Sequence, residues 1–211
     1  MINLIKKHKF IAILRHIKPC YIEEAAKALY EGGIRIFEVT FDPCSKTTIS
    51  DTQSIIKSIY SMYGDEVLVG AGTVVSPEFA KAAYKAGAKF IVSPCTDKKI
   101  ISYTKKHRML SIPGAYTPTE IVTAYNLGAD IVKIFPVAPG EAGYLKNVLS
   151  PLSHIPFMVT GGINPDTIEE FLSFNPVAVA AGATIITDEL TKNGEWEKIT
   201  QNVKAHLSKI H

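Results

Sequence analysis

Three ionisable residues interrupt or close runs that are otherwise apolar. Lys133 lies within Ile131-Val132-Lys133-Ile134-Phe135-Pro136, Glu38 lies within Ile36-Phe37-Glu38-Val39-Thr40, and Arg15 closes the run Phe10 to Arg15. If these runs are strands, side chains alternate between faces, so Lys133 shares a face with Ile131 and Phe135, and Glu38 with Ile36 and Thr40. A lysine in that setting either points to an outer layer and carries its ammonium to water, or is held neutral because burial penalises the charge. Only the neutral amine attacks a carbonyl carbon, which is the first step of Schiff-base chemistry. A carboxyl group in the same mouth is either its ion-pair partner or a general acid/base beside the nucleophile.

A second constellation is made of small residues. Thr160-Gly161-Gly162 runs into Ile163-Asn164-Pro165, and Gly182-Ala183-Thr184 follows the most apolar stretch of the chain. Glycine lets another group approach the backbone closely, and clustered N–H groups attract anions. Either segment alone reads as a tight turn. As the ends of the last two strands of a barrel, the pair falls where such folds bind phosphate.

The elements that must position these residues are legible as an alternation. Eight β-branched runs occur at Phe10 to Arg15, Ile34 to Phe41, Val67 to Val74, Phe90 to Cys95, Leu110 to Ala115, Ile131 to Pro136, Phe157 to Gly162 and Val177 to Gly182. Amphipathic segments separate them: Tyr21 to Glu31, Lys46 to Tyr63, Glu78 to Ala86, Lys98 to Lys106, Thr119 to Asn126, Ala142 to Leu149, Asp166 to Phe174 and Glu195 to Ile210. Ser76-Pro77, Thr117-Pro118 and Asn164-Pro165 read as helix starts, and Gly33, Gly87 and Gly128 as helix stops. An open doubly wound sheet would want a glycine-rich phosphate turn after its first strand, where this chain has Arg15-His16-Ile17-Lys18-Pro19. The expectation is therefore an α/β fold, a single (β/α)8 TIM barrel over residues 1–211 with a short N-terminal helix. The 211 residues leave about 26 per βα unit, so no second domain is expected.

Composition narrows the partners. Lys and Arg number 23 against 20 Asp and Glu, a net charge of +3, and the longest basic run is Lys6-Lys7-His8-Lys9. No nucleic-acid partner is expected from that balance. Cys20, Cys44 and Cys95 are odd in number and widely spaced, which suits reduced thiols in a cytoplasmic protein. The first apolar run is five residues long, so neither a secretion signal nor a membrane span is expected. His8, His16, His107, His154, His206 and His211 have no metal-ligand spacing, and neither metal nor cofactor is expected. Trp196 and the Ala83-Tyr84 and Ala124-Tyr125 pairs are expected to pack helix faces.

Taken in order, six motifs resemble one family. They are Glu38-Val39-Thr40, Gly70-Ala71-Gly72-Thr73-Val74, Ile91-Val92-Ser93-Pro94, Pro113-Gly114 with Thr117-Pro118-Thr119-Glu120, Val132-Lys133-Ile134-Phe135-Pro136, and Thr160-Gly161-Gly162. Over nearly the whole chain the sequence is similar to the class I aldolases acting on 2-keto-3-deoxy-6-phosphogluconate (KDPG) and 2-keto-4-hydroxyglutarate (KHG). The resemblance implies that Lys133 forms the Schiff base and that Glu38 is the general acid/base. It implies that Thr73, Pro94, Phe135 and Thr160 line the pyruvate end, and that Gly161, Gly162, Gly182, Ala183 and Thr184 hold the phosphate. It further implies a homotrimer, no cofactor, and a small-molecule keto-acid substrate of the Entner–Doudoroff kind.

One position departs from the pattern. Many members carry arginine four residues after the glutamate, where this chain has Asp42. Arg15, at the end of the first run, is the replacement expected to face the substrate carboxylate. Other readings stay open at this point: the galactonate epimer as substrate, a sugar-phosphate epimerase or isomerase with Lys133 purely electrostatic, or a barrel that binds a sugar phosphate without catalysis.

Overall fold

The structure, a computed structural model, describes residues 1–138 and 140–210; His211 lies outside them. The strands are β1 (Phe10–Leu14), β2 (Ile36–Thr40), β3 (Leu68–Gly72), β4 (Phe90–Val92), β5 (Leu110–Ile112), β6 (Gly114–Ala115), β7 (Val132–Ile134), β8 (Phe157–Thr160) and β9 (Ala178–Ala181). Among the described residues they form one 9-stranded sheet in the order β5-β4-β3-β2-β1-β9-β8-β7-β6, and every pairing is parallel.

Eight expected runs become nine strands because the fifth is divided at Pro113, which brings no N–H to a ladder. Its first half pairs with β4 and its second with β7. Ser93 N–H donates to the Ile112 carbonyl at 3.2 Å, and Lys133 N–H donates to the Pro113 carbonyl at 2.9 Å. One stretch of chain thus joins both edges of the sheet and closes the barrel expected from the alternation.

Helices lie between successive strands: α2 (Ile22–Gly32), α3 (Thr48–Tyr63), α4 (Pro77–Ala86), α5 (Lys98–Lys106), α6 (Pro118–Asn126), α7 (Ala142–Leu149) and α8 (Ile168–Leu172), with α9 (Asp188–Lys192) and α10 (Trp196–Leu207) after the last strand. The expected short N-terminal helix is α1 (Ile2–His8). Apolar residues sort into two clusters. The larger fills the layer between sheet and helices; the smaller is the barrel interior, including Ile11, Ile36, Phe90, Ile131 and Met158, with Ile5 of α1 packed into it. This is how parallel strands come to be apolar on both faces.

Ser76 and Thr117 cap helices as their proline contexts suggest, with Thr117 and Glu120 forming a reciprocal capping box. Asn164 does not. Its side chain accepts from the N–H groups of Asp166 and Thr167 at 2.8 and 3.1 Å, closing a local turn, and α8 starts only at Ile168. The pairing of Ala with Tyr also splits: Ala83 and Ala124 are fully buried, whereas Tyr84 is 45% and Tyr125 38% exposed. No helix among the described residues is long and apolar enough to cross a membrane.

Candidate active site

Lys133 sits in the middle of β7 and Glu38 in the middle of β2. In the closed sheet these strands stand opposite one another, with β1, β9 and β8 between them on one side. Glu38 is in register with Ile13 of β1 and Gly70 of β3; Lys133 is in register with Gly114 of β6 and Met158 of β8. Both ionisable side chains are buried, Glu38 to 1% and Lys133 to 6% exposure. The apolar interior beneath them keeps water from solvating either group from below.

The electrostatic consequence runs in opposite directions for the two. Burial raises the pKa of Glu38, against the lowering effects of the Lys133 and Arg15 charges. Burial lowers the pKa of Lys133; the Glu38 carboxylate opposes this, and Arg15 reinforces it. Among the described residues neither takes part in an ion pair, and Glu38 Oε2 is buried without a hydrogen-bond partner. The Lys133 Nζ lies 4.5 Å from the centre of the Phe135 ring. Burial thus shifts both groups toward their neutral forms, while the attraction between their charges opposes part of that shift.

Space for this arrangement is made by Gly72, since a Cβ there would overlap the Glu38 carboxylate. Gly161 meets a different need. Its φ of +103° is strained for any residue with a side chain, and a Cβ would lie 2.7 Å from the Val137 carbonyl oxygen. These glycines permit close approach, one of a carboxylate and one of the neighbouring loop.

A cavity of about 430 Å3 opens above the pair, lined by Arg15, Glu38, Lys133, Phe135, Thr160, Gly161, Gly162, Gly182, Ala183 and Thr184. Ten of the twelve site residues expected from sequence thus share one space. Thr160 Oγ1 donates to the Ala180 carbonyl at 3.2 Å, which ties β8 to β9 at the rim. Among the described residues no group accepts from the N–H of Gly162, Ala183 or Thr184. Thr73 is reached through Arg15, whose Nη2 donates to Thr73 Oγ1 at 3.3 Å. Pro94 lines an adjoining cavity of about 350 Å3, to which Phe135 also contributes.

Asp42 stands apart from the chemistry. Its carboxylate accepts from the Cys44 N–H at 3.0 Å and lies 3.6 Å from His16 Nδ1, on the side of a separate cavity. His16, Asn164 and Asp188 line the main cavity and were not among the site residues expected from sequence. Asn164 lies two residues beyond the glycine turn, which is a usable signal; His16 sits in the loop after β1, and Asp188 opens the five-residue helix α9, too short for periodicity to show.

A desolvated amine and a desolvated carboxyl group at the C-terminal mouth of a parallel barrel have the makings of an enzyme site suited to carbonyl compounds. Comparison with known proteins gives the family: residues 1–202 match the model of the KDPG and KHG aldolases, and the chain belongs to that family. Aldolases are carbon–carbon lyases. The chain is 30% identical over 204 residues to 2-dehydro-3-deoxy-phosphogluconate aldolase of Treponema pallidum, covering 95% of this chain and 94% of the relative. It is 30% identical over 202 residues to 2-dehydro-3-deoxy-6-phosphogalactonate aldolase of Escherichia coli, with 95% and 94% covered. Among solved structures, KDPG aldolase from Legionella pneumophila, with pyruvate captured at low pH as a covalent carbinolamine intermediate, superposes with a TM-score of 0.85 at 27% identity, covering 98% of each chain.

Proposed function

We propose that this protein cleaves 2-keto-3-deoxy-6-phosphogluconate to pyruvate and glyceraldehyde 3-phosphate through a Schiff base on Lys133. The observation that carries the reading is the pair at the barrel mouth: burial lowers the pKa of the Lys133 amine and raises that of the Glu38 carboxyl group. The family and the carbinolamine described for the Legionella pneumophila relative support it.

Lys133 Nζ attacks the C2 carbonyl to give a carbinolamine, and the Glu38 carboxyl group gives its proton to the departing hydroxyl, so that loss of water leaves an iminium and a Glu38 carboxylate. The Glu38 carboxylate takes the C4 hydroxyl proton as the C3–C4 bonding pair moves towards the iminium nitrogen, releasing glyceraldehyde 3-phosphate. Protonation of the enamine at C3 and hydrolysis free pyruvate and return the amine. Arg15 faces the substrate carboxylate in place of the arginine absent at Asp42, and Thr73, Pro94, Phe135 and Thr160 enclose the pyruvate end. Gly161, Gly162, Gly182, Ala183 and Thr184 hold the phosphate; the N–H groups of Gly162, Ala183 and Thr184, which have no acceptor among the described residues, support that assignment.

Residues 1–211 act in this reading as one barrel domain that assembles as a homotrimer in the cytoplasm, with no nucleic-acid or membrane partner. Three exposed free cysteines fit a reducing compartment, and exposed Val75, Tyr84, Val122 and Tyr125 offer apolar surface for subunit contact.

Steady-state release of pyruvate from the phosphogluconate, its galactonate epimer and unphosphorylated hydroxyglutarate tests the substrate. The phosphogluconate should have the highest kcat/KM, and loss of the phosphate should raise KM or lower kcat markedly. A preference for hydroxyglutarate, or equal turnover with and without phosphate, would contradict the phosphate subsite.

A further inference from the structure

Behind the glycine turns lies a histidine that the proposed mechanism does not use. His206, on α10, is 1% exposed. Its Nδ1 is 2.7 Å from the Asn202 carbonyl oxygen, and its Nε2 is 3.0 Å from Thr184 Oγ1. The same hydroxyl is 3.0 Å from the Ile163 carbonyl oxygen. These distances form a chain from the interior of α10 to the rim of the cavity.

Proton bookkeeping along that chain depends on the charge of the ring. The Asn202 carbonyl only accepts, so Nδ1 carries a proton. In the neutral ring Nε2 is then an acceptor, and the one Thr184 proton is wanted by two acceptors at once, Nε2 and the Ile163 oxygen. An anion in the cavity would be a third. In the imidazolium Nε2 donates to the Thr184 oxygen instead and no longer competes for the hydroxyl proton, which then has the Ile163 oxygen and the anion as its acceptors.

We propose that His206 is a positioning residue for the phosphate subsite, taking up a proton from solvent when a dianionic group docks, so that Nε2–H holds the Thr184 oxygen and the Thr184 hydroxyl donates to the anion. The proposal rests on the reading of the two glycine turns as that subsite. In the balance, one N–H bond forms at Nε2 and solvent loses one proton; Thr184, exposed at the rim, is the route by which it enters.

The surroundings leave the equilibrium to the anion. The ring meets the Phe10 ring edge-on at 5.7 Å between centroids, and burial lowers its pKa while the Asn202 carbonyl raises it. No charged side chain contributes to that shift. Lys209, in the turn just after the helix, pairs with Glu169 at 3.3 Å, and on α2, packed against α10, Lys27 pairs with Glu31 at 4.0 Å. Free protein therefore holds the ring neutral more readily than a solvated histidine does, and bound anion favours the charged form. A group whose pKa is raised by binding contributes affinity that is full below its free pKa and lost as pH rises through its bound pKa.

Sulfate is the probe, because unlike phosphate it keeps the same charge across the neutral range. The intact protein, with histidine labelled for NMR, is titrated in pH with and without saturating sodium sulfate. Sulfate binding is also measured by calorimetry in two buffers of different ionisation enthalpy. The expected results are an upward move of the His206 midpoint, net proton uptake, and sulfate affinity that falls about tenfold between about pH 6 and pH 8. His206→Gln, whose amide donates at every pH, should bind sulfate with a shallower pH slope than the unaltered protein, leaving only what the cavity's other titratable groups, Lys133, Glu38 and His16 among them, contribute. Sulfate that competes with phosphorylated substrate but leaves the His206 midpoint unmoved and takes up no proton overturns the role of His206 and leaves the subsite standing. Sulfate that neither binds nor competes overturns both. The titration of the unaltered protein decides between these outcomes even if the variant fails to fold.

Discussion

Along the lower half of the barrel, the inward positions are Ile11, Ile36, Leu68, Phe90, Leu110, Ile131, Met158 and Ala178, all buried and apolar. Two residues further along the same strands, the inward positions include Ile13, Glu38, Gly70, Lys133, Thr160 and Ala180. The backbone and its ladder are shared, so the difference lies wholly in side chains one pleat apart. The lower layer is a dry floor, and the upper layer holds the groups whose pKa values that floor displaces. In the proposed mechanism Lys133 and Glu38 owe their reactivity to what lies under them as much as to each other. A lysine one pleat lower would have no cavity to serve, and an isoleucine one pleat higher would leave a pocket without a nucleophile.

Substitutions in the two layers should separate chemistry from stability. The largest effect is expected at Lys133: Lys133→Met should abolish pyruvate release while circular dichroism and thermal melting stay near the parent values, since it replaces a buried amine by an apolar chain of similar length. Glu38→Gln should lower kcat by about 10²–10⁴-fold, the usual worth of a general acid/base. It should also move the acid limb of Schiff-base formation to lower pH, because the carboxylate raises the pKa of Lys133. An acid limb that moved upward would mean that Glu38 does not act on the amine electrostatically.

Thr184→Ala comes next, with KM for the phosphorylated substrate raised about tenfold, the worth of one hydrogen bond to a charged group, and little change for unphosphorylated hydroxyglutarate. Met158→Ala, in the floor, should change kcat least and stability most, by about 2–5 kcal/mol in denaturant unfolding, through the cavity it leaves. If instead it lowered kcat as much as Glu38→Gln, the floor would be part of the chemistry rather than its support.

Much of this was legible from local pattern. The two-residue spacing showed which residues share a face with Lys133 and Glu38 but left open whether Lys133 points inward, and the run of βα units indicated a closed barrel whose last two turns lie side by side. What local pattern could not show is pairing across the sheet. Pro113 divides the fifth run so that its halves serve different neighbours, and only the closed ring reveals that. Gly70 and Gly72 looked like parts of one motif. Each instead yields space to a different side chain, Phe90 for one and Glu38 for the other. The helix Asp188–Lys192 carries a real signal, a Thr187 cap that accepts from the Leu190 N–H, but five residues are too few for periodicity to register. His206 was weighed only as a metal ligand, and its contact with Thr184, 22 residues away in the chain, has no local signature.

The central claim is that burial leaves Lys133 as a neutral nucleophile that bonds covalently to the keto acid. Borohydride reduction in the presence of pyruvate, followed by peptide mass spectrometry, tests it most directly. The account predicts a reduced three-carbon adduct on Lys133 alone, formed above the amine's lowered pKa and fading as pH falls through it. Folded protein that gains no adduct, or gains it equally on surface lysines and in Lys133→Met, would contradict it.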